Sequence, residues 1–215
     1  MSKVWLIRHG QSEANAGLRS VTASGIPLTA LGVLQAQAAA ARFTAAPSRI
    51  VVSPYLRAEQ TAAPLQTRFP GVAVERWPVQ EFTFLAPARC RDTTAAERLP
   101  LVTAFWARAD PDYRDAAEVE SFRDLLTRVD QSLAKLRAVE GHVAVYTHGQ
   151  WIQTALWRLG AGPQPSGLDR MVPFRGFMQT TPIPNGSILE VELGPASAQI
   201  SAPQVEHLHG LPLTR

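Results

Sequence analysis

Two short apolar runs, each ending in a histidine, constrain this chain more than any other feature. Val4-Trp5-Leu6-Ile7 leads into Arg8-His9-Gly10, and Val143-Ala144-Val145-Tyr146 leads into Thr147-His148-Gly149. Runs of this length that stop at polar residues and precede helix-like segments read as strands buried on both faces. Such strands belong to a parallel sheet covered by helices. In an open sheet of that kind, ligands bind beyond the carboxyl ends of the strands, where the strand order reverses. Two histidines delivered to that edge, one with an arginine beside it, point to chemistry on an anion.

The remaining pattern fits the same class. Thr29 caps an alanine-rich helix running to about Phe43, and Arg49-Ile50-Val51-Val52 is a second strand. Ser53-Pro54 reads as an N-cap with proline in the first helical position, which places Arg57 about one turn into a helix. Pro64 is expected to kink or divide that helix. Val72-Ala73-Val74 is a third short strand, and Thr94-Ala95-Ala96-Glu97 has the form of a capping box whose helix Pro100 interrupts or resets. From Ser121, the residues Phe122, Leu125, Leu126, Val129, Leu133 and Leu136 keep helical spacing, with Gly141 as the stop. A helix follows the second His-Gly, and Ser187 to Leu193 reads as a strand that Ile200 to Leu208 can pair with. The expected fold is α/β: three α/β/α layers, a mostly parallel central sheet and a small, partly helical cap. The cap is drawn from about 82–119, with 163–180 as a second candidate stretch.

Composition narrows the function classes. A chain of 215 residues, 46% apolar, suits one domain over 1–215 with its own core. A net charge of +3 without a dense Lys/Arg stripe argues against nucleic acid. Lysine is scarce, so arginine supplies the cations, as bidentate phosphate contacts require. Cys90 is the only cysteine, which excludes an intrachain disulfide and a cysteine-rich zinc site. No apolar stretch approaches ~20 residues, so no membrane span is expected. No signal-peptide pattern opens the chain, and the expected location is the cytoplasm. No GxxxxGK loop is present, and His207-x-His209 lacks the carboxylate or cysteine companions of a metal site, so neither metal nor cofactor is expected. Oligomeric state is not written in the pattern.

Several blocks in order carry a family resemblance. Arg8-His9-Gly10-Gln11-Ser12-Glu13-Ala14-Asn15 comes first, then Pro27-Leu28-Thr29 with Gly32 and Gln35-Ala36. Ser53-Pro54-Tyr55-Leu56-Arg57-Ala58-Glu59-Gln60-Thr61-Ala62 is followed by Glu120-Ser121-Phe122 with Arg128-Val129. Thr147-His148-Gly149 and Asn185-Gly186-Ser187-Ile188 end the series. Together they resemble the histidine phosphatase superfamily, the clan of cofactor-dependent phosphoglycerate mutases. The resemblance implies a phosphoglycerate mutase-like fold and a histidine acid phosphatase-type phosphomonoesterase acting on a small phosphorylated substrate.

On that reading His9 is the nucleophile, because a neutral imidazole nitrogen can attack phosphorus and split one hard step into two easier ones. Arg8 and Arg57 form the phosphate clamp, since guanidinium forks match phosphate oxygens in pairs. The resemblance implies that His148 contacts the transferred phosphoryl group and that Asn15 donates to it. Glu81 stands at about the family's general-acid position, supplying the proton a poor leaving group needs. Phe82-Thr83-Phe84-Leu85-Ala86-Pro87 follows it where many relatives carry a Gly- and Trp-containing stretch. Trp77, Phe82, Phe84, Phe105 and Trp106 read as core filling, Glu120 as serving the first turn of its helix, and His142 as surface. The expected activity is metal-independent phosphomonoester hydrolysis. Its rivals are a phosphoglycerate mutase and a non-catalytic phosphate-binding scaffold. The chain is short for a mutase, and Val21-Thr22-Ala23-Ser24-Gly25-Ile26 lacks the mutases' Gly-Trp-x-Asp pattern.

Overall fold

The first apolar run is the centre of a sheet. In the computed structural model, described over residues 2–160, 171–195 and 197–215, β1 (Ser2–Arg8) pairs in parallel with β4 (Gly141–Thr147) through seven registered positions, from Ser2 opposite Gly141 to Arg8 opposite Thr147. β2 (Arg49–Val52) lies on the other side of β4, and β3 (Val74–Arg76) lies outside β2, both parallel. β5 (Ile188–Leu193) and β6 (Ala198–Ile200) extend the β1 side antiparallel, giving the order β3-β2-β4-β1-β5-β6. The sheet is mixed, with its parallel part carrying both His-Gly turns.

Alternation along the strands divides the core in two, because successive side chains leave a strand on opposite faces. Val4, Leu6, Val143 and Val145 pack with Phe122, Leu125, Val129 and Trp151 from α5 (Phe122–Arg137) and α6 (Gly149–Gly160). Ile7, Ala144 and Tyr146 face the opposite way, onto Ala39 and Phe43 of the α1 side and Ala58, Ala62 and Leu65 of α2; α1 is Ala30–Ala41 and α2 is Leu56–Arg68. The helix after β1 and the helix after β4 therefore leave to opposite faces, and a crevice opens between the two strand ends.

Helix starts follow local chemistry. Thr29 caps α1 by accepting the Gly32 N–H, and capping boxes open α4 (Ala95–Ala107) at Thr94 and Glu97 and α5 at Ser121 and Asp124. Neither of the helix divisions that proline could impose occurs. Pro64 lies inside α2 and Pro100 inside α4, and neither divides its helix. Burial of Ala58, Thr61, Ala62 and Leu65 holds α2 together against the ~3 kcal/mol an interior proline costs. α2 also starts later than Ser53-Pro54 implies: Tyr55 is its cap residue, without a side-chain cap bond, and Arg57 is its second residue.

The segment 82–119 holds α3 (Pro87–Cys90) and α4. Phe82, Phe84, Phe105 and Trp106 stack among themselves and reach Phe122 and Phe174 with centroid separations of 4.2 to 6.4 Å. Of the second cap stretch, 163–170 lies outside the described residues, and Met171–Thr180 is α7. His142 is half-buried against Trp5 and Phe43 rather than on the surface. Among the described residues no helix is long and apolar enough to cross a membrane.

Gly10 and Gly32 let the loop after β1 lie against the first turn of α1. A Cβ on Gly32 would collide with the Gln11 carbonyl oxygen, and one on Gly10 would collide with the Gly32 carbonyl. Gly32→Ala is expected to destabilise the protein by about 1–3 kcal/mol, since backbone atoms must move to admit the methyl. For a chain of this size that lowers Tm by roughly 2–4 °C per kcal/mol, which thermal unfolding followed by circular dichroism checks.

Candidate active site

The β1·β4 register brings His9 and His148 together one step past the ends of adjacent strands. The His9 N–H donates to the Thr147 carbonyl at 3.0 Å, and the two imidazole rings meet edge to face with centroids 5.0 Å apart. Both side chains are buried.

The contacts of His9 assign its nitrogens. Nδ1 lies 2.7 Å from the Gly10 carbonyl oxygen, which can only accept, so Nδ1 carries the proton. Nε2 then holds a lone pair, and Arg57 Nε–H donates to it at 3.1 Å. Burial first, then the charges of Arg57 and Arg8, push the His9 pKa well below the ordinary 6.5. The ring is thus neutral, with its nucleophilic nitrogen between cations. His148 is driven down in the same way, by burial, then Arg57, His9, Arg8 and Arg128.

Arg57 also donates to the Ala23 carbonyl at 2.7 Å, and its guanidinium lies 5.0 Å from the Tyr55 ring centroid. Arg8 donates through Nη1 to the Ile183 carbonyl, while its Nε has no partner among the described residues. Burial lowers the Arg8 pKa to about 10, with Glu81 opposing, and lowers that of Arg57 in the same direction. Both guanidiniums stay charged near neutral pH.

Glu81 reaches the same place from the far side. Its carboxylate accepts the Gln150 N–H at the start of α6 and its neighbour Phe82 N–H, each at 3.1 Å. First-turn amides of a helix have no partner within it, and this carboxylate satisfies one. The loop before it is held by Arg128, which donates to the carbonyls of Pro78 and Gln80 at 2.9 Å and pairs with Glu120 at 2.6 and 2.8 Å. Glu120 therefore serves the Glu81 loop rather than its own helix's first turn.

Arg8, His9, Asn15, Arg57 and Glu81 line one cavity of about 240 Å³, with Phe84 and Arg98 of the segment 82–119 also on its wall. A neighbouring cavity of about 600 Å³ shares Arg8, Asn15 and Glu81 and adds Gln150 and Arg215. Five of the six residues expected from the sequence thus line the cavities, and the sixth, His148, packs its ring against that of His9. Among the described residues no group of three or more His, Cys, Asp and Glu side chains stands where it could hold a metal ion.

Other participants were not anticipated. Ser53 Oγ lies 2.7 Å from His148 Nε2. Thr61 Oγ1 accepts the Gly10 N–H and donates to the Arg57 carbonyl at 2.6 Å, fastening the two phosphate-side segments together. Buried Asn185 donates to the His9 carbonyl at 3.2 Å and to Asn15 Oδ1 at 3.3 Å, and its own Oδ1 accepts from Thr214. Asn15 Nδ2 in turn donates to the Arg215 carbonyl at 3.1 Å, so residues 214 and 215 belong to the site's support. The Asn185-Gly186 pair was visible as part of the resemblance; nothing local in the sequence marks 214 and 215.

A sequence model of the histidine phosphatase superfamily (branch 1) matches residues 4–201. Among solved structures, the phosphoserine phosphatase of Entamoeba histolytica is similar with a TM-score of 0.73 and 22% identity, covering 97% of this chain and 100% of its own. A mycobacterial glucosyl-3-phosphoglycerate phosphatase gives 0.69 and 24%, covering 94% and 98%. The alpha-ribazole phosphatase of Shigella flexneri gives 0.70 and 19%, covering 94% and 95%. At these identities the likeness is one of fold. No curated protein sequence matches the chain.

Two buried neutral histidines make stability depend on pH. Their folded pKa values lie below the unfolded value of 6.5, so the unfolded chain takes up protons first as pH falls. Stability is full above about pH 7 and drops below about 6.5, by about 1.4 kcal/mol per pH unit for each histidine until its folded pKa is reached. Urea unfolding at pH 7.5 and pH 5 is expected to show a smaller acid loss in His9→Gln and His148→Gln than in the wild type. An equal loss in all three would refute the assignment of neutral buried rings.

Proposed function

This chain belongs to the histidine phosphatase superfamily, branch 1, and from that premise we propose that it is a metal-independent phosphomonoester hydrolase working through a phosphohistidine at His9. The observation that carries the reading is the state of His9: a neutral ring, its proton tied to Gly10, its Nε2 lone pair held beside Arg57. The relatives' coverage of 95% to 100% of their own chains supports a phosphatase-sized protein, without room for a mutase insert. Residues 1–215 then act as one catalytic domain, with 82–119 as the cap over the leaving group.

The geometry supports the following steps. Arg8 and Arg57 bind the phosphoryl oxygens of a small phosphomonoester, with Asn15 as a further donor, and neutralise the charge that spreads over them in the transition state. His9 Nε2 forms a bond to phosphorus as the ester P–O bond breaks. With the Glu81 carboxyl group protonated in the substrate complex, the departing oxygen takes that proton and Glu81 becomes a carboxylate. Glu81 then draws a proton from water, whose oxygen attacks phosphorus and breaks the P–N bond. Inorganic phosphate is released and the neutral ring of His9 is restored. His148 contacts the phosphoryl group throughout.

His9→Ala is expected to lose several powers of ten in turnover of p-nitrophenyl phosphate while keeping its fold. Wild-type enzyme quenched in mid-turnover is expected to carry an acid-labile phosphate that the variant lacks. Activity within about tenfold of wild type corresponds to only ~1.4 kcal/mol of barrier and would sink the mechanism.

Glu81→Gln is expected to slow alkyl phosphates far more than p-nitrophenyl phosphate, because an alkoxide needs the proton and nitrophenolate departs unaided. Steady-state rates for the pair of substrates decide it. Equal slowing would remove Glu81 from the role of proton donor.

A further inference from the structure

Two buried polar atoms at the site have no partner among the described residues: Nε of Arg8, which lines both cavities, and Nδ1 of His148, whose ring packs against that of His9. A buried polar group left unpaired costs about 1–3 kcal/mol, and such groups concentrate where a ligand completes them. Arg8 Nε is a donor under all conditions, so the group that completes it is an acceptor. Gly149, immediately after His148, packs against it, since a Cβ there would sit 3.4 Å from Arg8 Nε. For His148 Nδ1 to meet that same acceptor, Nδ1 must carry a proton while the ring stays neutral.

Ser53 supplies that condition. β2 lies beside β4 with Val52 opposite Tyr146, and the Ser53 N–H donates to the Tyr146 carbonyl at 3.0 Å. Its side chain is therefore delivered to the His148 ring, 2.7 Å from Nε2, and both residues are fully buried. Ser53 Oγ already accepts the Tyr55 N–H at 3.3 Å. Among the described residues His148 Nε2 is the one acceptor within reach of the hydroxyl proton. If Nε2 carried the hydrogen instead, the hydroxyl proton and the Nδ1 lone pair would both be buried without partners. With Oγ–H donating to Nε2, only the Nδ1–H remains without a partner among the described residues, left for an acceptor that a ligand supplies.

We propose that Ser53 is a positioning residue that fixes His148 in its Nδ1–H tautomer, making a neutral histidine a permanent hydrogen-bond donor to the transferring phosphoryl group. The proposal rests on the phosphatase reading for its function, but the tautomer itself is a property of the free protein. Ser53 thus acts on the chemistry through His148, not by touching substrate.

Nitrogen-15 NMR of histidine-labelled protein at pH 7.5 reads the tautomer directly. His148, assigned by the loss of its signals in His148→Gln, is expected to show a protonated Nδ1 and an unprotonated Nε2 in the wild type. Free histidine side chains favour the reverse. Ser53→Ala is expected to shift the ring toward Nε2–H and to lower kcat for p-nitrophenyl phosphate by about 10–100-fold with little change in KM, the cost of a misdirected transition-state donor. Ser53→Thr, which keeps the hydroxyl, is expected to restore both readouts. A wild-type His148 protonated at Nε2 would overturn the proposal. So would a Ser53→Ala protein that loses activity with its tautomer unchanged. If Ser53→Ala does not fold, the wild-type and Ser53→Thr spectra decide. If the tautomer is as expected but no phosphohistidine forms, the function assigned to the site fails and the role of Ser53 in fixing the ring stands.

Discussion

The parallel pairing of β1 with β4 is the contact on which everything else depends. Seven registered positions align Arg8 with Thr147, and the next residue on each strand is a histidine. A slip of one residue would turn every side chain to the other face. Val4 and Leu6 would leave the α5/α6 core, and Arg8 would leave the crevice. The burial of both faces therefore sets the register, and the register sets the distance between the two rings. Hydrophobic patterning, not any polar contact, aims the site.

That aim has an electrostatic cost. Arg8 and Arg57 are both buried, along with His9 and His148. Taking cations out of water is unfavourable unless opposite charge offsets it. Glu81 is the carboxylate acting on both arginines. The histidines relieve the remainder by staying neutral. On the proposed function an incoming phosphate dianion would complete the balance, with one of its oxygens at the unpartnered Arg8 Nε. The same imbalance that weakens the free protein favours the bound anion, since preorganised donors in a dry site need no reorganisation when charge arrives.

How much of this was legible depends on how local the signal is. His9 and His148 could be placed because the buried-strand pattern before each is unbroken, and Thr29 and Thr94 because capping is written within three or four residues. Pro64 and Pro100 were misjudged as breaks because packing of the helix face outranks a missing hydrogen bond. Ser53 was misread as a cap for the same kind of reason. Ser-Pro is the right local pattern for one, but the hydroxyl pairs with a histidine 95 positions away. Asn15's link to Arg215 spans 200 positions and Asn185's to Thr214 spans 29, both into a region without periodicity. The antiparallel direction of β5 is likewise invisible in an apolar run, which reads the same either way.

The site divides by what holds each part. The proposed phosphate end rests on the sheet: His9 and His148 just past β1 and β4, Arg57 in the first turn of α2, Thr61 tying the Gly10 amide to the Arg57 carbonyl. The leaving-group end rests on a loop. Glu81 lies between β3 and α3, and its position comes from the α6 amide at Gln150 and from Arg128, which grips the carbonyls of Pro78 and Gln80. Arg128 is itself oriented by Glu120, so the proton-donating end depends on a pair anchored in α5 and just before it. Rigid strands suit the phosphoryl group, whose tetrahedral shape is the same in every substrate. A loop braced from α5 and bordered by the cap can be altered without disturbing β1 or β4. On the proposed function, substrate choice can therefore change in 82–119 while the chemistry proposed for His9 keeps the placement the sheet gives it.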